Sequence, residues 1–344
     1  MKYAIIAAGE GSRLAEEGIS APKPLVKVGG QCLVDRLIRV FLDNEADEII
    51  VVCNDLTPLV DEHLTRIERD GFDGKKIPLR HIVRTTPSSM HSFYELSKFL
   101  SDSPFVLTTV DTIFREEEFS AYVKAFKASL ANGSADGMMG VTDYVDDEKP
   151  LYISMTTTPH PPKGEFLDRS EVLKGCPDSE KNYKNSSPSG GWGVIADFLD
   201  ADPDGKCPYI SAGIYGLTPK AIDTLNRCMA EGKSRMRNFQ RGLIEDGLQL
   251  MAFPFSKVLD IDHAGDIDYV AKVGNHQFGI QVKPVTANAN FGGYSLSERM
   301  KASFNDFTEK YGGKVFVVYS QKGEIANTDV IDNIQKEIER LQSL

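Results

Sequence analysis

The sequence predicts an α/β protein in which a mostly parallel central sheet is followed by a small C-terminal βαβα appendage. In the first 140 residues, short apolar runs typical of strands alternate with amphipathic stretches typical of helices. Parallel strands need such a helix between them to return the chain, so the alternation predicts a parallel sheet with helices on both faces. A sizeable core is expected, because 41% of the 344 residues are hydrophobic.

The predicted strands of this first part are short, and they are β-branched or bounded by turn residues. The predicted helices repeat their apolar residues at helical spacing, as Leu33, Leu37, Val40 and Phe41 do at i, i+4, i+7 and i+8. Strands are expected at residues 3–8, 48–53, 79–83, 104–110 and 137–141, with further helices at 90–100 and 116–130.

Residues 143–208 lose this periodicity and are rich in Pro, Ser, Lys and Gly, which predicts a long functional loop or lid. Order returns with a strand at 209–215, helices near 218–230 and 238–246, and strands at 248–253 and 257–261. The tail is predicted as a strand, a helix, a strand and a helix, at 278–282, 296–311, 314–319 and 327–343. We therefore expect two domains, residues 1–271 and an appendage of residues 272–344.

Charge, apolar runs and cysteines exclude several classes of protein. The net charge of −11 disfavours nucleic acid as a partner, because phosphate contacts need cations. Residues 278–344 contain eight basic and eight acidic residues, so the whole excess lies earlier in the chain. No membrane partner is expected, since the longest apolar runs are about five residues and a membrane span needs about 20. The five scattered cysteines argue against a disulfide framework or a zinc site.

The start of the chain predicts a location. Met1 and Lys2 lead directly into an apolar strand, with no room for the apolar segment and cleavage site of a signal peptide. We therefore expect a cytoplasmic protein.

A glycine loop follows the first predicted strand, with the sequence Gly9-Glu10-Gly11-Ser12-Arg13-Leu14. Such a loop lets backbone N–H groups approach a phosphate closely, because no Cβ stands in the way. Leu14 occupies the position of the third glycine of a dinucleotide-binding motif, and the Lys-Ser/Thr of a P-loop is missing, which disfavours both. Instead, Lys23 follows between two prolines, in Pro22-Lys23-Pro24-Leu25.

The glycine loop and the Pro-Lys-Pro-Leu segment together resemble the signature of the sugar-1-phosphate nucleotidyltransferases, the family that makes nucleoside-diphosphate sugars. The resemblance runs from residue 1 to about residue 271 and implies a Rossmann-like domain. Such enzymes join a nucleoside triphosphate to a sugar 1-phosphate with Mg²⁺ and release pyrophosphate. The resemblance further implies that the base and phosphates lie along Ala8, Gly9 and Gly11, that Arg13 grips the triphosphate, and that Lys23 stabilises the transition state at the α-phosphate.

Three carboxylates are candidates for a magnesium site. Asp111 follows a buried-looking strand and is expected at the carboxyl edge of the sheet, on the side of the glycine loop. Asp260 and Asp262 lie two apart on a predicted strand and therefore face the same way. Magnesium favours such oxygen ligands completed by phosphates and waters, and the family resemblance implies the same ligands. The alternative is that these aspartates form turns or cap helices.

Two further segments resemble substrate contacts of the family. Ser89 lies with Ser88 and His91 just before a predicted helix, where the family contacts the nucleotide, although a solvated helix start is an equal alternative. Ala212 and Gly213 lie in a segment similar to the family's strand beside the acceptor sugar. The family's Glu-Lys-Pro contact is displaced by about 60 residues here, so the acceptor is expected to be a phosphomonoester of open identity.

Alternatives to this function come from other parts of the chain. The segment around Ser89 also resembles phosphocholine cytidylyltransferases. Asp268, Gln281 and Lys283 weakly resemble part of the core of PD-(D/E)xK nucleases of the MjaI type, but the tail is short and Gln replaces Glu. A non-catalytic nucleotide-binding regulatory protein is the alternative from another class. The appendage is expected to serve packing or subunit contact, which allows a homo-oligomer.

Overall fold

The structure is a computed structural model that describes residues 1–16, 19, 21–28, 30–143, 149–156, 193–260, 269–273, 276–284, 304–305, 308–309, 312–321, 324–325 and 327–343. Within these ranges, no helix has the length and apolar character needed to cross a membrane. The chain divides into two compact units. The core unit comprises Met1–Glu10 and Val34–Leu259, and the second unit comprises Gly11–Leu33 and Asp260–Leu344.

The strands of the core unit are β1 (Lys2–Ala7), β4 (Glu48–Cys53), β5 (Leu79–Val83), β6 (Phe105–Thr109), β7 (Thr112–Phe114), β8 (Gly137–Thr142), β9 (Tyr152–Met155), β10 (Ile195–Leu199), β11 (Tyr209–Leu217), β12 (Leu250–Phe255) and β13, which runs to the boundary of the unit (Val258–Asp260). Nine of them form one sheet, in which seven lie in the order β10-β9-β11-β6-β1-β4-β5. Strand β8 pairs with β11, and β12 pairs with β8. Strands β7 and β13 form a separate pair.

The pairs β1 with β4, β1 with β6, β4 with β5 and β8 with β12 are parallel, whereas β11 is antiparallel to its neighbours. The helices of this unit are α2 (Leu33–Asp43, whose first residue belongs to the second unit), α3 (Pro58–Asp70), α4 (Ser89–Ser97), α5 (Glu116–Ala131), α6 (Lys220–Ala230) and α7 (Met236–Glu245). The prediction of an α/β fold with a largely parallel central sheet is confirmed.

Both faces of the central strands are buried, which explains why their sequences are continuously apolar. On β1, Tyr3 stacks on Phe41 of α2 with ring centroids 4.6 Å apart, and Phe41 stacks on Phe119 of α5. The neighbouring residue Ala4 faces the opposite side of the sheet and belongs to a cluster with Phe93 of α4. Alternate residues of one strand therefore contribute to two separate hydrophobic layers.

The second unit contains α1 (Ser12–Glu16), a 3₁₀ turn (Lys23–Leu25), and a short hairpin of β2 (Lys27–Val28) and β3 (Gln31–Cys32). Its tail forms a sheet of β14 (Tyr269–Val273), β15 (His276–Pro284), β16 (Gly312–Gln321) and β17 (Glu324–Ile325), in that order. Strands β15 and β16 are parallel, and helix α8 (Asp329–Gln342) packs on this sheet. Buried Glu337 of α8 accepts a hydrogen bond from the backbone N–H of Lys314, at 3.0 Å.

The structure contains elements that were not predicted, among them α1, β7, β17 and the hairpin of β2 and β3. Strands β9 and β10 lie inside the region predicted to be a loop, where they add two short antiparallel strands to the sheet. Helix α3 was not predicted, although Val60, Leu64 and Ile67 form its buried stripe. Strand β14 begins before the predicted boundary at residue 271 and pairs with β15, so the tail sheet starts at residue 269. Most of the helix predicted at 296–311 lies outside the described residues.

His81 gives the core unit a pH-dependent link between β5 and α3. Its ring nitrogens lie 2.8 Å from Asp61 and 2.6 Å from Glu68, both on α3, and its side chain is 9% exposed. Burial acts to lower the pKa of His81, but hydrogen bonds to Asp61 and Glu68 outweigh it and raise the pKa above its ordinary value.

We expect His81→Gln to lower the free energy of unfolding by on the order of 1 kcal/mol near pH 6, where the imidazolium of the wild type is hydrogen-bonded to two carboxylates. Because the folded-state pKa is raised, this stabilisation is complete below the unfolded pKa and is lost as the pH rises through the folded one. Urea unfolding of both proteins at pH 6 and pH 9 measures the difference. An equal difference at the two pH values would contradict the assignment.

Candidate active site

The carboxyl ends of four parallel strands meet at one edge of the core unit. The chain leaves β1 at Ala8 and Gly9, β4 at Asn54, β5 at Arg84 and β6 at Val110. In open parallel sheets this edge is the usual place for a ligand, because the loops that leave the strands converge there. The predicted position of the start of the glycine loop and of Asp111 at one edge is therefore observed within this unit.

Gly9 begins the glycine loop with open space beside its α-carbon. Ala8 before it is buried, whereas Gly9 is exposed, and a Cβ built on Gly9 would meet no atom of the described residues within 4 Å. Packing among these described residues therefore does not require glycine at this position. A ligand that approaches the backbone would require it, which agrees with the predicted role of Ala8 and Gly9 beside a nucleotide.

Asn54, the first residue after β4, holds the start of this loop. Its side-chain amide donates to the carbonyl oxygens of Ala8 and Gly9, each at 3.2 Å, and only 1% of the residue is exposed. The side-chain oxygen of Asn54 accepts a hydrogen bond from the hydroxyl of Thr57, at 2.7 Å. The sequence alone did not single out Asn54, because an asparagine after a strand is an ordinary loop residue.

Asp111 lies in the tight connection between β6 and β7. The connection is anchored by the N–H of Val110, which donates to Ile6 of β1 at 3.0 Å, and by the hydroxyls of Thr109 and Thr112, which lie 2.7 Å apart. Asp111 is partly buried, and its Oδ1 atom is inaccessible to solvent. The predicted placement of this carboxylate after a buried strand of the sheet is thus observed.

Gly213 brings the predicted acceptor strand next to this connection. It lies at a β-bulge of β11, has a φ of +70°, and a Cβ built on it would lie 3.6 Å from the hydroxyl oxygen of Thr112. Ala212 beside it is buried. Ser211, just before them, donates to the side-chain oxygen of buried Gln240 of α7 at 2.9 Å. Gln240 was not predicted from the sequence, because only the fold brings α7 to this strand.

Helix α4 begins with a serine cap. Ser88 accepts a hydrogen bond from the N–H of His91, and its hydroxyl donates to the carbonyl of Ser234. The Nδ1 atom of His91 lies 2.9 Å from the same hydroxyl oxygen. Ser89 is exposed at the first position of the helix, which leaves it accessible to a nucleotide.

The second unit carries the predicted cations. Gly11 has a φ of +63°, and a Cβ built on it would approach the Cβ of Lys23 to 3.1 Å, so glycine allows the loop and the Pro-Lys-Pro-Leu segment to meet. Lys23 is partly buried at the start of the 3₁₀ turn, and Arg13 is exposed on α1. Asp260 is exposed at the end of β13.

The described residues do not provide a complete set of Mg²⁺ ligands. They fit a Mg²⁺ site in which substrate phosphates and waters supply the remaining ligands. No three His, Cys, Asp or Glu side chains of the described ranges converge as a metal-binding group. Asp111 places a carboxylate at the expected edge, and Mg²⁺ is commonly held by one or two carboxylates together with substrate phosphates and waters. Asp262, and Asp268 of the nuclease-like motif, lie outside the described residues, as do the side chains of Gln281 and Lys283.

A cavity of about 630 Å³ opens at the opposite, amino edge of the core unit. Its charged side chains already pair with one another, as Lys2 does with Asp102 at 2.8 Å and Arg80 with Glu48 at 3.0 Å. The cavity lies at the edge of the sheet opposite the start of the glycine loop, and none of the predicted site residues lines it.

Comparison with known proteins gives three consistent results. Residues 3–156 match the model of the MobA-like NTP transferase domain. The chain is 23% identical over 235 residues to the glucose-1-phosphate cytidylyltransferase of Salmonella typhi, covering 66% of this chain and 78% of that protein. It is 33% identical over 114 residues to the bifunctional IPC transferase and DIPP synthase of Thermococcus kodakarensis, covering 33% of this chain and 24% of that protein.

Among solved structures, the inositol-1-phosphate CTP transferase of T. maritima has a TM-score of 0.53 at 15% identity, covering 77% of this chain and 90% of that one. The UTP-bound UGPase of Acinetobacter baumannii has a TM-score of 0.56 at 13% identity, covering 77% and 90% respectively. These structural similarities confirm the fold, and the family match over residues 3–156 agrees with the resemblance that the glycine loop and the Pro-Lys-Pro-Leu segment indicated.

Proposed function

From the match of residues 3–156 to the model of the MobA-like NTP transferase domain, we propose that the protein is a Mg²⁺-dependent nucleotidyltransferase. It joins a nucleoside triphosphate to a sugar 1-phosphate or a related phosphomonoester and releases pyrophosphate. One observation carries the proposal. The start of the glycine loop, at Ala8 and Gly9, and the carboxylate of Asp111 occupy the same carboxyl edge of the core sheet.

In the proposed reaction, an ionised oxygen of the acceptor phosphate attacks the α-phosphorus of the nucleoside triphosphate. A new P–O bond joins the acceptor to the nucleoside monophosphate, and the bond from the α-phosphorus to the bridging oxygen breaks, so pyrophosphate leaves. The attacking oxygen already carries a negative charge near neutral pH, so no general base is needed. The reaction chiefly requires that two anions be held in line and their charge neutralised.

The residue roles follow from this need for cations and donors. Backbone N–H groups of the glycine loop bind phosphate, Arg13 gives a two-pronged contact to phosphate oxygens, and Lys23 supplies a point charge for the developing charge on the α-phosphate. Asp111 is the Mg²⁺ ligand of the core unit, and Asp260 and Asp262 are proposed as the others. Mg²⁺, when bound, neutralises charge on the phosphate oxygens.

We infer that CTP is the nucleotide to test first. The names of three similar proteins contain a cytidylyl, CTP or CMP group: the Salmonella cytidylyltransferase, the T. maritima CTP transferase and a CMP-5'-(3-aminopropyl)phosphonate synthase of Streptomyces rubellomurinus. Their acceptors differ, and one is a phosphonate by name. The acceptor of this chain is therefore proposed as a class, which includes glucose 1-phosphate, inositol 1-phosphate and, as the alternative, phosphocholine.

A matrix of five nucleoside triphosphates against these three acceptors, with release of pyrophosphate as the readout, tests the proposal. We expect turnover with CTP and at least one acceptor, and its loss on addition of EDTA. Absence of turnover with every pair would contradict the proposed nucleotidyltransferase activity. Binding of CTP without turnover would favour the alternative of a non-catalytic nucleotide-binding protein. Cytoplasmic location and homo-oligomerisation stay predictions, as does a role of the tail in nucleic-acid cleavage, which is disfavoured.

A further inference from the structure

The start of the glycine loop is held by one side chain that has no assigned role. The Nδ2 group of Asn54 donates to two consecutive carbonyl oxygens, those of Ala8 and Gly9, at 3.2 Å each. These two carbonyls belong to the peptide groups that join residue 8 to 9 and residue 9 to 10. A single amide group therefore fixes two adjacent peptide planes of the loop.

The direction of the adjacent N–H groups follows from the planarity of the peptide bond. In a trans peptide the N–H points opposite to the C=O. Because both carbonyls point toward Asn54, the N–H groups of Gly9 and Glu10 point away from it. Among the described residues, no backbone carbonyl accepts a hydrogen bond from either N–H. Two consecutive N–H groups on one side of a loop form a concavity suited to an anion.

The orientation of the Asn54 amide is itself determined. Its Nδ2 side meets two acceptors, whereas its Oδ1 side meets a donor, the Thr57 hydroxyl at 2.7 Å. If the amide were flipped, its Oδ1 atom would face the carbonyl oxygens of Ala8 and Gly9, and no hydrogen bond could form there. Only one orientation of the amide therefore satisfies all three contacts. Asn54 is also buried, which makes an unsatisfied group there costly.

We propose that Asn54 is a positioning residue for the triphosphate. It acts through the backbone of Ala8 and Gly9, whose peptide planes it orients so that the N–H groups of Gly9 and Glu10 face the phosphates, and Thr57 acts through Asn54. This inference rests on the proposed function for the identity of the anion. Gly9 has no side chain to limit its backbone, so without Asn54 these two planes would sample other orientations.

The test compares Asn54→Leu with a matched control. Asn54→Leu removes the donor from a buried position without adding charge. Asn44→Leu is the control, because Asn44 is also a buried asparagine whose side chain donates to a carbonyl, that of Val40 at 2.8 Å, but it lies near the amino edge. Binding of CTP and of inorganic tripolyphosphate, each with Mg²⁺, is measured by calorimetry. Turnover is measured separately, as KM for CTP and for the acceptor.

We expect Asn54→Leu to weaken binding of both CTP and tripolyphosphate by about 10- to 100-fold, as losses of groups that orient a binding residue commonly do. The KM of the acceptor should change less than threefold, and Asn44→Leu should bind both ligands as the wild type does. Thr57→Val should weaken binding by a smaller factor. Adding Thr57→Val to Asn54→Leu should have no further effect, because Thr57 acts only through Asn54.

The outcomes separate this inference from the proposed function. Unchanged binding in Asn54→Leu would overturn the inference and leave the function intact. Weakened binding in a protein that lacks turnover would support the inference and contradict the function. A wild-type chain that binds neither ligand would overturn both. If Asn54→Leu does not fold, Thr57→Val decides, since unchanged affinity in that variant would overturn the inference.

Discussion

Asp111→Asn is expected to remove nearly all nucleotidyl transfer from a protein that stays folded. The substitution keeps the shape of the side chain and deletes the negative charge with which Asp111 is proposed to hold Mg²⁺. Metal stabilisation of charge on a transferring phosphate contributes several kcal/mol, so we expect a fall in kcat of about 1000-fold. Pyrophosphate release at saturating substrates measures the effect, and circular dichroism with urea unfolding checks the fold.

A matched control exists at the end of strand β8, which is separated from β6 by β11 in the sheet. Asp143 is an exposed aspartate, and Asp143→Asn removes the same charge from the chain without touching the connection after β6. We expect it to retain the wild-type rate. If both variants lose activity equally, the net charge of the chain rather than the position of Asp111 would be responsible. Full activity in Asp111→Asn would remove this residue from the proposed metal site.

The central sheet could be predicted from the sequence with little error, because its parallel strands are buried on both faces. Strands β4 and β5 have the predicted bounds, 48–53 and 79–83. Strands β9 and β10 could not be predicted in the same way. They are short, lie at the end of the sheet, and are embedded in polar sequence, so they lack the apolar run that marked the central strands.

The predicted site residues divide according to what local sequence can show. The placement of Gly9 and Asp111 at one edge of the sheet could be predicted because each comes just after an apolar strand, and parallel strands bring their carboxyl ends to one edge. Asn54 and Gln240 could not, since their roles depend on which strand or helix lies beside them. Asn54 reaches Ala8 and Gly9 only because β4 pairs with β1. Such neighbour relations are tertiary and leave no pattern of spacing.

The discontinuous division of the chain into two compact units could not be predicted from the sequence. Charge and periodicity suggested a single boundary near residue 271, whereas the compact units are discontinuous, and Gly11–Leu33 clusters with Asp260–Leu344. Contact between segments so far apart in sequence does not alter composition or periodicity. A boundary predicted from composition and periodicity therefore reflects local sequence only and cannot show which distant segments pack together.

Lys23→Ala is expected to lower kcat by about 100-fold while changing the KM for the nucleotide by less than fivefold. Lys23 is proposed to meet charge that develops on the α-phosphate only in the transition state, and an interaction of that kind lowers kcat when it is lost. The loss of one such donor commonly costs about 100- to 1000-fold. Arg13→Ala should instead affect both parameters, because Arg13 is proposed to contact the triphosphate in the ground state as well.

The local structure makes Lys23→Ala a clean test of charge. Lys23 lies between two prolines at the start of a 3₁₀ turn, and its Cβ, which alanine retains, is the atom nearest to the Cβ position of Gly11. The substitution should therefore leave the backbone of the second unit unchanged. Lys27→Ala, at an exposed lysine of the adjacent hairpin, serves as the control and should keep the wild-type kcat. Steady-state kinetics with CTP decides the assignment, because an unchanged kcat in Lys23→Ala would show that its ammonium group does not stabilise the transition state.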